Sequence, residues 1–181
     1  MSVVIHSPLK SGIPEQINTD AEKATYRFLK EADIKFEYIE HSPADTIEAC
    51  HIIEQYIDSE ICKNLFLRNS AQTQYYLLLL DGDTKFDSKV ISRQIGSTRL
   101  SFGSEDKLYE YLALKPGSVS IMGLINDKNI NVKLLIQDTL LEKTYFCCHP
   151  CVNTSTLKIR TDDIINKFLP ELGYTFTTVH L

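Results

Sequence analysis

The chain has 181 residues, 43% of them hydrophobic and 24% charged, which suits one domain built on a single sizeable core. A formal net charge of -5 argues against a protein that coats a nucleic acid backbone, since such binding draws on many lysine and arginine contacts to phosphate; a small footprint on a nucleic acid end remains open. No apolar run of about 18 residues is long enough to span a membrane, and the opening MSVVIHSPLK lacks the pattern of a secretory signal, so a cytoplasmic protein is expected.

Residues 1–18, with Pro8, Gly12 and Pro14, read as an irregular lead-in. Thr19 and, three residues on, Glu22 form a capping box that opens a helix through about Ala32, with Ala24, Phe28 and Leu29 as its buried stripe. Residues 35–40 alternate as a half-buried strand, Pro43 breaks the chain, and Thr46 caps a second helix to about Ile57. The apolar runs 61–67 and 75–80 predict a hairpin at the centre of the sheet. Short helices over 88–95 and 105–112 flank an extended piece at 99–102. Pro116-Gly117 leads into a strand at 119–125, and an Asp127-Lys128-Asn129 turn returns it as 132–136, a second hairpin. Strands at 144–148 and 156–159, an amphipathic helix at 162–169 and an edge strand at 174–179 complete the chain. The expected class is α/β: one domain over residues 1–181, with a mixed, largely antiparallel central sheet flanked by helices.

Five cysteines form an odd set with no framework spacing, so disulfides are not expected to hold the fold. The run Cys147-Cys148-His149-Pro150-Cys151 invites a zinc site, but a structural zinc wants four ligands and no second pair stands elsewhere. The plainer reading makes Cys147 and Cys148 strand residues, one on each face, acting as small hydrophobes. A thiolate beside His149 is conceivable, although neighbours on a strand point to opposite faces. Lys63 interrupts an apolar run, either as a strand-end lysine with a packed stem or as a cation that holds a phosphate or polarises an ester carbonyl. Residues 116–120 make either a plain turn or a loop whose backbone amides approach a ligand. His149, near Asn153, Thr154 and Thr156, can hydrogen-bond or move a proton; His6, His41, His51 and His180 offer no comparable setting.

Taken in order, Lys63-Asn64-Leu65-Phe66-Leu67, Arg99-Leu100-Ser101-Phe102-Gly103-Ser104, Pro116-Gly117-Ser118-Val119, Leu124-Ile125-Asn126-Asp127, and His149-Pro150 with Asn153, Thr154 and Thr156 resemble the bacterial prolyl-tRNA editing family, related to the editing domain inserted in prolyl-tRNA synthetases. The resemblance implies that Lys63 and Asn64 line the site, that the Gly117 loop holds the aminoacyl end, and that His149 closes the pocket around the terminal adenosine. It places Phe66, Ser101, Ser118, Val119, Ser120, Asn126 and Asn153 among the substrate-binding residues. It also implies ester hydrolysis without metal or cofactor, assisted by the terminal ribose hydroxyl of the tRNA.

The partner so implied is the acceptor end of mischarged proline tRNA, with prolyl-tRNA synthetase a further candidate, and with no membrane and no DNA. Alanine is the first choice of amino acid and cysteine the alternative; a noncatalytic module that binds an aminoacyl or nucleotide end is the rival from another class. One departure concerns the loop, which in related chains reads glycine, three residues, proline: the position four after Gly117 is Ile121.

Overall fold

The computed structural model describes residues 3–44 and 46–181. Strands β1 (Lys10–Ser11), β2 (Phe36–Glu40), β3 (Lys63–Arg68), β4 (Tyr75–Leu80), β5 (Ser101–Phe102), β6 (Val132–Gln137), β7 (Tyr145–Cys148), β8 (Ser155–Arg160) and β9 (Phe176–Val179) divide between two sheets. One is antiparallel in the order β1-β2-β8-β7, and the other is mixed in the order β5-β3-β4-β6-β9. Five strand pairs are antiparallel and two, β4 with β6 and β6 with β9, are parallel. Helices α1 (Asp20–Glu31), α2 (Ile47–Ile57), α3 (Ser88–Gln94), α4 (Glu105–Leu112) and α5 (Asp138–Glu142) complete the α/β arrangement with the helical stretch that follows β8.

The local signals explain the element ends. The Thr19 hydroxyl accepts from Glu22 N at 3.1 Å while the Glu22 carboxylate accepts from Thr19 N at 3.0 Å, closing the capping box of α1. Thr46 accepts from Ala49 N at 3.1 Å and starts α2. All six residues of β4 are buried, as expected of a strand covered on both faces. Its Leu77 and Leu79 join the main core with Phe66, Leu134 and Ile136, whereas Leu78 and Leu80 join Leu67, Ile91 and Leu100 beneath α3. A third cluster packs Ala49, Ile53 and Ile57 of α2 on Ile39 and Cys147.

Several expectations are corrected. The stretch 119–125 is not a strand: a tight 3-10 turn runs over Ile121–Asn126, and its first five residues are all buried. A short apolar run covered on every side has no periodicity to separate strand from helix, and Ser120, which accepts from Met122 N at 3.2 Å, caps the turn. The hairpin expected between 119–125 and 132–136 therefore does not form, and β6 takes parallel partners instead. In α1, Glu22, Thr25, Tyr26 and Leu29 are the buried residues, and Ala24 and Phe28 only half-buried. Within the lead-in, β1 pairs with β2 and Ile5 bridges to His41.

After β8 the chain continues through α6 (Thr161–Asp163), a wide turn at Ile164–Phe168 and α7 (Leu169–Glu171). Leu169 N reaches back five residues to the Ile164 carbonyl, and the following Pro170 has no N–H to restore ordinary helical spacing. Among the described residues no helix is long and apolar enough to cross a membrane.

Candidate functional site

The two sheets meet where Ile61 bridges to Cys147, just before β3 and inside β7, and Cys62 N donates to the Cys147 carbonyl at 3.0 Å. A cleft of about 270 Å³ opens at this seam. Its wall takes Lys63 and Asn64 from the start of β3, Gly117 and Val119 from the loop after α4, and His149 from the end of β7.

Lys63 directs its ammonium to the Thr84 carbonyl at 2.8 Å, keeping the head at the mouth while the stem lies half-buried. Asn64 braces the site: its Nδ2 donates to the Cys62 carbonyl at 2.9 Å, and its Oδ1 accepts from Ile121 N at 3.1 Å. That second bond accounts for the departure in the loop, because a proline at position 121 would have no N–H to give. Gly117 has φ +83, a conformation that favours glycine and lets the loop run close to the cleft without a side chain.

Ser120, fully buried, donates its hydroxyl to the His149 carbonyl at 2.5 Å, so the loop and the histidine segment are fixed to one another. His149 Nδ1 lies 2.9 Å from the Ser155 carbonyl, which can only accept. The proton therefore sits on Nδ1 in the neutral ring, and Nε2 is its acceptor.

The candidate residues separate by location. Lys63, Asn64, Gly117, Val119 and His149 come together at the cleft, and Ser120 lies directly behind it. Ser118 turns its hydroxyl to the Lys115 carbonyl, and the Asn153 carbonyl accepts from Ala44 N beside the cleft wall. Phe66, Ser101 and Asn126 lie elsewhere. Phe66 stacks on Tyr75 at 5.6 Å and covers Gly103, where an added Cβ would come within 2.4 Å of its ring. Ser101 pairs with Arg68 in β5, and Asn126 donates to the Leu112 carbonyl at the end of α4.

Sequence reasoning missed the opposite wall. Ile47, Cys50, His51 and Glu54 of α2 face the cleft at helical spacing, beside the stripe Ala49, Ile53 and Ile57 that packs on the sheet. It also missed His41, which is 1% exposed and lies 6.2 Å ring to ring from His149. His41 Nδ1 donates to the Ser42 carbonyl at 2.8 Å, and Nε2 pairs with the Thr156 hydroxyl at 2.9 Å.

Burial holds the His41 pKa down to about 4, below the 6.5 of a free histidine. Its contribution to stability is thus fully present above about pH 6.5, where it is neutral folded and unfolded, and is lost as pH falls toward 4 because the unfolded chain takes the proton first. Between pH 7 and pH 5 this group is expected to withdraw about 2 kcal/mol, visible in urea melts and flattened by His41→Gln. A wild-type profile with no slope over that interval would refute the assignment.

Cys62, Cys148 and Cys151 share the main core as free thiols. Cys147 and Cys148 occupy different cores on opposite sides of β7, and among the described residues no three His, Cys, Asp or Glu side chains are arranged to hold a metal ion. Burial pushes Cys62 up to about 12 and Cys147 and Cys151 up to about 11, leaving these thiols protonated near neutral pH and poor nucleophiles.

An aminoacyl-tRNA editing domain model matches residues 41–167. The prolyl-tRNA editing protein ProX of Acetoanaerobium sticklandii is 37% identical over 165 residues, covering 91% of this chain and 100% of that protein. The prolyl-tRNA synthetase associated domain-containing protein 1 of Danio rerio is 28% identical, covering 86% of this chain and 85% of its own. A solved structure described as a proposed trans-editing enzyme for prolyl tRNA synthetase superposes with a TM-score of 0.66 at 16% identity, covering 90% of this chain and 98% of the other, and supports the fold.

Proposed function

Because this chain belongs to the aminoacyl-tRNA editing domain family, and is an editing deacylase of the prolyl-tRNA type, we propose that its cleft hydrolyses alanyl-tRNA charged on proline tRNA. The observation that carries the reading is convergence: Lys63 and Asn64, Gly117 and Val119, and His149 come from three segments far apart in sequence yet line one cleft. Both sheets contribute to it, so the editing unit is the whole described fold rather than either half.

In the proposed step, water attacks the ester carbonyl, the bond to the ribose oxygen breaks, and that oxygen leaves with a proton as free alanine departs. The neighbouring ribose hydroxyl positions the water, so the step as proposed draws on no metal. Lys63 offers positive charge toward the carbonyl oxygen or the terminal phosphate, and the Gly117 loop brings backbone close to the aminoacyl end. His149 packs against the terminal nucleoside. The setting is the cytoplasm, where charged tRNA is used.

One small group separates alanine from cysteine by only about 1 to 3 kcal/mol in an apolar pocket. Release of labelled amino acid from alanyl-tRNA and cysteinyl-tRNA of the proline isoacceptor, with prolyl-tRNA as control, tests the assignment. Preferential loss of alanine is expected. Preferential loss of cysteine would overturn the substrate, and loss of neither would leave a binding module.

A further inference from the structure

Side chains of β3 alternate between two faces, so Lys63 shares its face with Leu65 and Leu67, the face that packs beneath α3. Phe102 sits opposite Leu67 on β5, the outermost strand of the five-stranded sheet, with 64% of its surface exposed. Its ring lies 6.2 Å from that of the half-buried Phe86. Phe86 follows by two residues the Thr84 carbonyl that receives the Lys63 ammonium, so this aromatic pair begins where the cleft ends. Four residues of strand, about 13 Å, separate Lys63 from the partner of Phe102.

The charge around the pair is unusual for an acidic chain. Lys85, Lys89 and Arg99 are exposed, and none enters an ion pair among the described residues. Phe86, Lys89 and Arg99 line one surface groove. Two carboxylates stand nearby: Asp87, which lines the same groove, accepts from Lys89 N at 2.9 Å and Val90 N at 3.0 Å as the cap of α3, and Asp83 faces His51 at 3.2 Å.

An exposed ring with a half-buried one beside it, among three cations that outnumber the neighbouring Asp83 and Asp87, matches the chemistry of single-stranded nucleic acid, whose bases stack on aromatic faces while lysine and arginine meet its phosphates. We propose that Phe86 and Phe102, with Lys85, Lys89 and Arg99, bind the single-stranded nucleotides that precede the aminoacylated terminal one. This inference rests on the assignment of the cleft to an aminoacyl-tRNA end. At about 3.4 Å per stacked nucleotide, 13 Å of strand matches roughly four nucleotides, a small footprint compatible with the acidic chain.

The test uses a fluorescent oligoribonucleotide ending in CCA and uncharged proline tRNA, titrated by anisotropy at several salt concentrations, alongside deacylation kinetics. Phe102→Ala is expected to weaken binding about tenfold and to raise KM in proportion, with the loss in KM rather than kcat. The double variant Lys89→Ala and Arg99→Ala is expected to flatten the salt dependence by about 1.4 in logarithmic slope, two single-strand phosphates. Affinity and slope unchanged in both variants, with matched thermal melts, overturn the proposal and leave the exposed rings to a protein partner such as the synthetase. The two readings fail separately. A wild type that binds RNA without releasing amino acid sinks the deacylase assignment, whereas an active wild type with an indistinguishable Phe102→Ala sinks the nucleotide surface.

Discussion

Substituting Lys63 by methionine is expected to lower kcat/KM for deacylation by roughly 100- to 1,000-fold, the range for losing one preorganised group that stabilises developing charge. Methionine keeps an unbranched stem of similar length, so the loss reports the ammonium rather than a cavity. The side chain is half-buried and donates a hydrogen bond to the Thr84 carbonyl, which water can satisfy at the cleft mouth. Thermal unfolding should therefore stay close to wild type. Lys63→Ala is expected to behave alike, with a little more stability lost from the missing stem. Circular dichroism melts and single-turnover release of labelled alanine decide the matter, and activity within a few-fold of wild type would remove Lys63 from the chemistry.

Asp127→Ala is expected to destabilise the protein by roughly 3 to 5 kcal/mol, an effect on the fold rather than on the reacting groups. The carboxylate is 4% exposed and accepts four bonds: Asn131 N at 3.0 Å, Asn131 Nδ2 at 2.8 Å, Val132 N at 2.8 Å and the Tyr174 hydroxyl at 2.7 Å. Burial together with that last bond drives the Tyr174 pKa upward, so the phenol remains a donor. Val132 opens β6 and Tyr174 leads into β9; one side chain thus ties the starts of two parallel neighbours. Alanine would leave the Val132 amide and the Tyr174 hydroxyl unpaired in the interior, whereas the exposed Asn131 can turn to water. Urea unfolding should show the full loss for alanine and a smaller one for Asp127→Asn, which keeps one acceptor oxygen. A cost under about 1 kcal/mol would show that water replaces the carboxylate.

Where the chain announces local chemistry, the fold is legible. The capping box at Thr19, the cap at Thr46 and the β3–β4 hairpin follow from neighbours within a few residues. Lys63 and His149 stood out because each breaks its surroundings, and both lie at the cleft. What stayed hidden depends on distant partners. The parallel pairing of β4 with β6 leaves no mark on a strand that is apolar throughout, and residues 121–125 are all buried. His41 offers no chemical setting in its own sequence neighbourhood, and its surroundings come from Ser42, Thr156 and His149. Phe66, Ser101 and Asn126 illustrate the reverse: membership in a motif fixes a residue's place along the chain but not the direction in which it points.

The Ile121 amide and the Asn64 side chain also limit how parts can be exchanged between relatives. Asn64 has its oxygen committed to a backbone donor 57 residues away, so strand and loop behave as a matched set. Grafting a loop with proline at position 121 into this chain would strand that oxygen and release the amide side chain to turn. Chimaeras that swap the loop alone should then lose function that chimaeras carrying both segments retain, and residue 64 would have to travel with its loop.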